Sequence, residues 1–295
     1  MKRTPPARFS TAVVSAILQG MNVLRENAYA KLNLTMSVLF RRPDGYHSID
    51  SLMQTVDLYD TVTIEKSRSI EVTCSGMILP YANTARNAAE LFRSATGHGC
   101  RIHLEKRIPS EAGLGGGSAD AAAVLRGLNS LYEEYLPYES LLSMAVRIGA
   151  DVPFLLRGGL QRAMGIGEIL TPLPHGTLHF VIVKPEGGIS TKALYTALSM
   201  PLERPDTAKA AALLAESDAI SIAPYLKNAM EKDAERMLPE IRSVRDSLLG
   251  KGALTAVMTG SGSAVFGLFR SEEEAERAAS ELSGSFPFVK KVRSV

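Results

Sequence analysis

One stretch of the chain, PSEAGLGGGSAD at residues 109–120, says more about the fold than any other. Four of the five residues from Gly113 to Gly117 are glycines, which remove Cβ hindrance where a backbone must bend sharply. An alanine-rich helix is predicted to begin near Ser118, directly after them. Because free backbone N–H groups and the positive end of a helix dipole converge there, the stretch predicts a phosphate site. The Ser118 hydroxyl is a candidate contact to a phosphate oxygen or a metal ion.

Two common nucleotide-binding motifs do not fit this stretch. No lysine follows the glycines, as a P-loop requires. The order Gly113-Leu114-Gly115-Gly116 lacks the spacing of a dinucleotide fingerprint. Taken alone, the glycines are also compatible with a tight strand-to-helix turn that binds nothing.

The composition excludes several classes of protein. The 295 residues include 45% hydrophobic and 22% charged ones, which is ordinary for a globular protein and excludes wholesale disorder. With 33 basic and 31 acidic residues, no bulk charge favours a nucleic-acid partner. No apolar run approaches the ~20 residues of a membrane span, so no membrane partner is expected. Two cysteines, Cys74 and Cys100, form no disulfide framework or zinc motif, and they favour a reducing compartment, the cytoplasm.

The chain divides into an extension and two predicted domains. Residues 1–20 are predicted to be disordered or non-native. The first domain spans 21–165 and the second 166–285, with the boundary in the Gly/Pro-rich stretch 158–176. The last strand, within 286–295, can pack on either domain.

Hydrophobic periodicity predicts an α+β protein. Strands are predicted over 28–40, near 102–104, and over 178–184, 253–258, 264–269 and 287–293, and a hairpin over 62–74. Helices are predicted over 83–97, from 118, and over 139–149, 191–199, 206–217, 228–249 and 271–284.

The glycine stretch resembles the ATP-binding motif of the GHMP kinase superfamily, Pro-x-x-x-Gly-Leu-Gly-x-x-Ser. Three further stretches resemble motifs of that superfamily in the same order: AKLNL at 30–34 with DGYH at 44–47, GADVP at 149–153, and TGSGSAVF at 259–266. The resemblance implies a two-domain GHMP-kinase-like fold. Its N-terminal, ATP-binding domain is of the ribosomal-protein-S5-domain-2-like type, and its C-terminal domain is a ferredoxin-like α/β sandwich.

The resemblance also implies ATP as cosubstrate and Mg²⁺ as its counter-ion, with the metal ligands left open. The implied phosphate cradle consists of Pro109, Ser110, Glu111, Ala112, Gly113, Leu114, Gly115, Gly116, Gly117, Ser118 and Ala119. Asn83 and Lys106 match positions near the adenosine part of ATP. Their alternatives are a helix N-cap for Asn83 and a solvated lysine for Lys106.

Asp151 and Lys31 are the implied catalytic residues. Asp151 matches the base that takes the proton from the attacking hydroxyl, and its alternative is a turn cap before Pro153. Lys31 matches the residue that holds that hydroxyl, and its alternative is a solvent-facing strand lysine. A lysine in an apolar alternating strand is costly unless it is paired, which independently favours a polar site. Asn33, two residues on, shares the same face of the strand.

The implied acceptor is a cytidyl diphosphate sugar alcohol, phosphorylated on its 2-hydroxyl in the non-mevalonate isoprenoid pathway. Tyr46 and Tyr195 match aromatic walls for the cytosine, His47 matches a hydrogen-bond partner of its edge, and Gly260 and Ser261 are expected near phosphate. The alternatives are a superfamily kinase for mevalonate, homoserine or a sugar, and a non-catalytic nucleotide-binding protein. A monomer or weak homodimer is expected.

Overall fold

The computed structural model describes residues 22–133, 136–214 and 219–295, so the extension predicted at 1–20 lies outside the described residues. Within the described ranges no helix is both long and apolar enough to cross a membrane. The larger sheet is built from β1 (Val23–Arg41), β2 (His47–Ser67), β3 (Ile70–Cys74), β4 (Gly99–Glu105), β5 (Leu160–Gly165) and β6 (Ile169–Leu173).

The β1–β2 hairpin is the backbone of the larger sheet. β1 pairs along β2, and a turn between Arg41 and His47 joins the two strands. β4 and β5 pair with opposite ends of β2. The predicted hairpin at 62–74 is wrong, because β3 pairs in parallel with β4 and β4 lies between β3 and β2.

The helices that come before and after the glycine stretch in the sequence cover the larger sheet. Asn83 caps the first of them, accepting a hydrogen bond from Arg86 N, and Gly97 ends it with a φ of 84°. Small side chains let the second approach β1 closely, since Ala121, Ala122 and Ala123 are fully buried. These helices are α1 (Thr84–Thr96), α2 (Gly116–Leu131), α3 (Tyr138–Ile148) and α4 (Val152–Arg157).

The smaller sheet is antiparallel, with the order β10-β7-β9-β8, and consists of β7 (His179–Lys184), β8 (Thr255–Met258), β9 (Val265–Phe269) and β10 (Phe288–Arg293). β6 completes the larger sheet by pairing with β5, so the smaller sheet starts after the predicted 165/166 boundary. Its last strand pairs with β7, and Val295 N also donates to Thr55 O of β2.

The predicted single helix over 228–249 is wrong. Pro239 has no backbone N–H to donate, and it disfavours helical backbone at Leu238, so the chain forms two helices there. The helices of this half are α5 (Thr191–Ala197), α6 (Thr207–Leu214), α7 (Ala219–Ile222), α8 (Glu231–Met237), α9 (Glu240–Gly250) and α10 (Glu272–Leu282).

The smaller sheet contributes to two hydrophobic cores. Phe180 and Phe266 point to one face and join the core of the larger sheet, with their ring centroids 5.6 Å apart. Val181 and Val265 point to the other face and pack with α9 and α10. The two sheets therefore share a continuous core, which fixes the cleft between them.

Candidate active site

A cavity of about 1360 Å³ lies between the glycine stretch, β1, the start of α4 and the smaller sheet. Most of the residues predicted from the sequence line it: Lys31, Asn33, Tyr46, His47, Lys106, Pro109, Ser110, Glu111, Ala112, Gly113, Leu114, Gly115, Gly116, Gly117, Ser118, Asp151, Tyr195, Gly260 and Ser261.

Asn83 and Ala119 are not part of this lining. The Asn83 side chain caps α1 and donates to Pro80 O. The Ala119 side chain is buried, and its amide donates to Gly115 O within α2. Because both groups are engaged elsewhere, the structure gives Asn83 and Ala119 less support as ATP contacts than the other residues of the set.

Lys31 and Asp151 meet at the floor of the cavity. Lys31 Nζ lies 3.6 Å from Asp151 Oδ2, although 120 residues separate them in the chain. The lysine side chain is 5% exposed and the aspartate side chain is 36% exposed. The ammonium group is thus withdrawn from water, whereas the carboxylate still faces the cavity.

Two β-bulges bracket the strand segment that carries Lys31. The register of β1 against β2 shifts between Tyr29 and Lys31 and again between Asn33 and Thr35. Bulges of this kind re-aim side chains next to active sites. Here they leave Lys31 and Asn33 on one face, as predicted, and Lys31 Nζ donates to Asn33 Oδ1.

Asn33 is itself held from two sides. Its Nδ2 donates to Ser51 Oγ at 2.8 Å, and its backbone N donates to Thr259 Oγ1 at 2.9 Å. The side-chain oxygen of Asn33 is therefore fixed toward Lys31, and its backbone N–H links β1 to the turn that follows β8.

Asp151 begins α4 without capping it. Its backbone is helical, and its side chain makes no capping hydrogen bond. The predicted alternative, a turn cap, is therefore wrong for this side chain. The Asp151 carboxylate is left available to a substrate hydroxyl.

The glycine stretch forms a cradle against β1. Lys31 N donates to Leu114 O at 3.0 Å, and Gly115 begins α2 with a φ of 73°. Gly113 also has a left-handed φ of 71°, and a Cβ there would lie 2.1 Å from Thr259 O. Only glycine fits at residue 113, because both the conformation and the contact exclude a side chain.

A second turn, Thr259–Gly262, closes the cradle from the smaller sheet. Ser263 N donates to Glu111 O at 3.1 Å, and Ala264 N donates to Ala112 O at 3.2 Å. These hydrogen bonds tie the two sheets together at the cavity.

Lys106 lies on the other side of the cradle, in a buried ionic cluster. It donates to Asp60 Oδ2 and, at 2.5 Å, to Asp120 Oδ2. Asp60 is fully buried and the Asp120 side chain is 5% exposed. The pKa of Asp120 is raised to about 7, because its burial outweighs the opposing charge of the Lys106 ammonium and the negative charge of Asp60 adds to the rise. The pKa of Lys106 is raised because the two carboxylates outweigh its burial.

Aromatic side chains form the opposite wall of the cavity. The rings of His47 and Tyr195 lie 5.1 Å apart. Burial, together with the nearby charge of Asp151, raises the pKa of the Tyr195 phenol, so the phenol stays protonated. Burial and the Arg41 charge lower the pKa of His47, which favours its neutral form at pH 7. Tyr46 is 60% exposed at the rim of the cavity.

Sequence reasoning missed Asp60 and Asn228 and assigned no role to Asp120. Asp60 lies within a strand, and Asn228 precedes α8, where an asparagine reads as a helix start. No local spacing links either residue to the site. The one available signal was that a charged residue in an apolar strand, such as Asp60, needs a partner.

The comparisons with known proteins agree with one another. Residues 83–159 match the family described as GHMP kinases N terminal domain, and residues 208–287 match GHMP kinases C terminal. Two curated relatives are both named 4-diphosphocytidyl-2-C-methyl-D-erythritol kinase. The one from Desulfitobacterium hafniense is 44% identical over 85% of this chain and 89% of its own length. The one from Caldicellulosiruptor saccharolyticus is 45% identical over 86% and 91%.

Solved structures share the fold. A crystal structure of 4-(cytidine 5'-diphospho)-2C-methyl-D-erythritol kinase has a TM-score of 0.80 and 36% identity, covering 92% of this chain and 99% of that one. Homoserine kinase from Cytophaga hutchinsonii has a TM-score of 0.77 at 21% identity, covering 94% of this chain and 95% of its own, and it shows the fold alone. The described geometry, the matched domains and the identity over most of the chain place this protein in the GHMP kinase superfamily, in the family of 4-diphosphocytidyl-2-C-methyl-D-erythritol kinases.

Proposed function

We propose that this chain transfers the γ-phosphoryl group of ATP to the 2-hydroxyl of 4-diphosphocytidyl-2-C-methyl-D-erythritol, in the non-mevalonate isoprenoid pathway. The products are the 2-phosphate and ADP. The observation that carries the proposal is the approach of Lys31 Nζ to within 3.6 Å of Asp151 Oδ2, between the cradle and the aromatic wall. The relatives with the same printed name support this choice of acceptor.

The Lys31–Asp151 pair supplies what a hydroxyl nucleophile requires. Asp151 accepts the proton of the attacking hydroxyl, and the transfer is late because an alcohol is a very weak acid. Lys31 hydrogen-bonds the hydroxyl oxygen and offsets the negative charge that gathers on the transferred group. Asn33 holds the ammonium in place for both tasks.

The cradle supplies the position of the phosphoryl donor. Backbone N–H groups at the start of α2 face the cavity together with the positive end of the helix dipole. Phosphoryl transfer depends mainly on in-line positioning and charge stabilisation, which a preorganised cradle provides. Lys106 adds a positive charge at the edge of the cavity, near the adenosine end proposed for it.

Mg²⁺ belongs to the proposal as the counter-ion of ATP, where it would neutralise phosphate charge. This ion keeps several waters and uses only one or two protein oxygens beside substrate phosphates. The half-buried Ser118 hydroxyl and the Glu111 carboxylate both line the cavity and fit that requirement. The described residues hold no cluster of three acidic, histidine or cysteine side chains that could hold a metal ion, so these residues alone provide no complete cage.

The aromatic wall favours an acceptor that contains a base. Stacking of one base on an aromatic ring is worth ~1–3 kcal/mol. His47 and Tyr195 offer half-buried rings, and Tyr46 offers an exposed ring at the rim. Mevalonate and homoserine carry no ring that needs such a wall.

A cytoplasmic location and a monomeric or weakly dimeric state complete the proposal. The first is supported by Cys74 and Cys100, which are free thiols.

An acceptor panel tests the function. The protein is incubated with ATP, Mg²⁺ and one acceptor at a time, and ADP release is followed. We expect turnover with the cytidyl acceptor and background rates with mevalonate, homoserine and a free sugar. Turnover of mevalonate without turnover of the cytidyl acceptor would contradict the proposal.

A further inference from the structure

Asn228 lies behind the Thr259–Gly262 turn and has no role in the function proposed above. It is 8% exposed and does not line the cavity. Its Nδ2 donates to Met258 O and to Gly260 O, both at 2.8 Å, and its Oδ1 accepts from Met230 N at 3.0 Å. The side-chain amide is thus fully used in fixing backbone groups.

The residues beside Asn228 attach it to the strand that carries the catalytic lysine. Met36 N donates to Lys227 O at 2.9 Å, and Ala229 N donates to Met36 O at 2.8 Å. Asn228 therefore joins β1 to the Thr259–Gly262 turn through contacts that are independent of the cradle.

The turn itself has a defined geometry. Gly262 N donates to Thr259 O at 3.0 Å, which makes Gly260 and Ser261 its two central residues. Gly260 has a φ of +56°, and a Cβ there would lie 2.9 Å from Lys31 Nζ and 3.2 Å from Asn33 Oδ1. The centre of the turn is thus packed against the reacting groups.

The peptide between Gly260 and Ser261 is planar and trans, so its C=O and N–H point in opposite directions. Asn228 holds the C=O on the buried side. The Ser261 N–H is therefore directed away from Asn228, toward the cavity that Gly260 and Ser261 line. Among the described residues, no backbone or side-chain acceptor is found for this N–H, whereas the Ser261 hydroxyl pairs with Thr191 Oγ1 at 2.7 Å.

We infer that Asn228 is a positioning residue, which orients the Gly260–Ser261 peptide so that the Ser261 N–H donates to a phosphate oxygen beside Lys31. The inference rests on the proposed function, since it adds a donor to the same site. A preorganised backbone donor of this kind stabilises the charge that develops during transfer. The oxygen belongs either to the transferred group or to the diphosphate of the acceptor.

Substitution of Asn228 tests the positioning role. Asn228→Ala removes both donated hydrogen bonds, and Asn228→Asp places an oxygen against the two carbonyls. We expect kcat to fall by about tenfold or more, up to the ~10²–10³ that loss of a whole donor costs, while the KM for ATP is unchanged. A purely structural role would lower the melting temperature and the active fraction without this split between kcat and KM.

Asn129→Ala is the matched control. Asn129 Oδ1 also fixes a backbone group, accepting from Leu136 N at 2.8 Å, but it lies near the end of α2 remote from the cradle. We expect a lower melting temperature with an unchanged kcat. Each rate is measured with the acceptor that the wild-type chain turns over, so failure of the cytidyl acceptor and failure of the inference are distinguishable. A wild-type kcat together with a wild-type KM for the acceptor in folded Asn228 variants would overturn the inference.

A measurement on the unmodified chain decides the matter if the variants do not fold. The amide resonance of Ser261 is followed in ¹⁵N-serine-labelled protein during titration with cytidine 5′-diphosphate, and separately with a non-hydrolysable ATP analogue and Mg²⁺. A downfield shift of the Ser261 proton in the first titration assigns the oxygen to the acceptor. A downfield shift in the second assigns it to the transferred group. Saturation with both and no shift of Ser261 would refute the inference.

Discussion

Two lysine–aspartate clusters flank the same glycine cradle, and they differ in whether their charged groups remain open to hydrogen bonds from a ligand. On one side Lys31 faces a single carboxylate, Asp151, at 3.6 Å, and that carboxylate is 36% exposed. On the other side Lys106 is in direct contact with Asp60 and Asp120, which are 0% and 5% exposed. The residue types are the same, but the first cluster is open and the second is closed.

The difference separates a reacting group from a supporting one. In the open cluster the carboxylate still accepts hydrogen bonds from a molecule in the cavity. In the closed cluster two of the three hydrogens of the ammonium are already donated, and one negative charge is left over unless Asp120 holds a proton. We therefore assign chemistry to the open cluster, and positioning of Lys106 and of the start of α2 to the closed one.

Asp151→Asn should produce the largest loss of activity. The amide keeps the shape of the carboxylate but cannot take the proton of the hydroxyl. We expect kcat to fall by about 10²–10⁴, the usual contribution of a general base, with ATP-analogue affinity unchanged. Steady-state kinetics and equilibrium binding measure the two quantities.

The matched control for that variant is Asp50→Asn. Asp50 pairs with Arg162 at 2.7 Å in the larger sheet and does not line the cavity. Its kcat should stay at the wild-type value. A near-normal kcat for Asp151→Asn would remove Asp151 from the mechanism and with it the contrast between the clusters.

Replacement of Lys31 or Lys106 by methionine should give the next largest effect, which is on the free energy of unfolding. Lys106→Met leaves two buried carboxylates without a cation, and removal of one partner of a buried ion pair costs about 3–5 kcal/mol. Lys31→Met leaves only Asp151, which water reaches, so the cost should stay below about 1 kcal/mol. Urea denaturation of both variants measures the difference in the free energy of unfolding.

The losses of kcat should have the opposite order to the losses of stability, with the larger loss of kcat in Lys31→Met. Folded Lys31→Met should lose most of its kcat, and folded Lys106→Met should lose ATP affinity before it loses kcat. Equal losses of stability in the two variants would mean that the exposure of the carboxylate does not distinguish the clusters.

Local pattern in the sequence predicts much of this fold and misses what depends on remote partners. Alternation of apolar and polar residues was enough to predict the strand at 28–40, although in the fold its polar residues from Lys31 to Ser37 are buried as well as its apolar ones. Alternation did not predict the strand that pairs with Ile70–Cys74. That partner is β4, which follows only after α1, and parallel pairing leaves no local signal in the sequence. The break at Pro239 was readable from the sequence, because proline cannot continue a helix interior.

The site divides in the same way. The resemblance of four motifs predicted Lys31 and Asp151, and the fold brings them together. No motif includes Asp60 or Asn228, because each acts through a backbone or charged group more than 25 residues away, and only the tertiary structure shows which group that is. Residues that support a site are therefore harder to predict than residues that react in it.

Asp120→Asn tests the closed cluster with the smallest expected effect. Burial raises the pKa of Asp120 from 3.8 to about 7, so the folded chain holds this proton more tightly than the unfolded chain does. Unfolding then releases a proton between pH 4 and 7, and the free energy of unfolding falls as pH rises through that window. Asparagine does not titrate, so the variant should lack this decline and gain about 2 kcal/mol relative to wild type between pH 5 and pH 8.

Asp44→Asn is the control for the sign of that effect. The hydrogen bond from Arg42 lowers the pKa of the exposed Asp44, so this residue weakly stabilises the fold above pH 4, and its replacement should give a small change of opposite sign. Urea denaturation of wild type and both variants from pH 5 to pH 8 provides the comparison. A difference between Asp120→Asn and wild type that does not change between pH 5 and pH 8 would mean that Asp120 does not titrate in this window, which would contradict the expected pH dependence of the closed cluster.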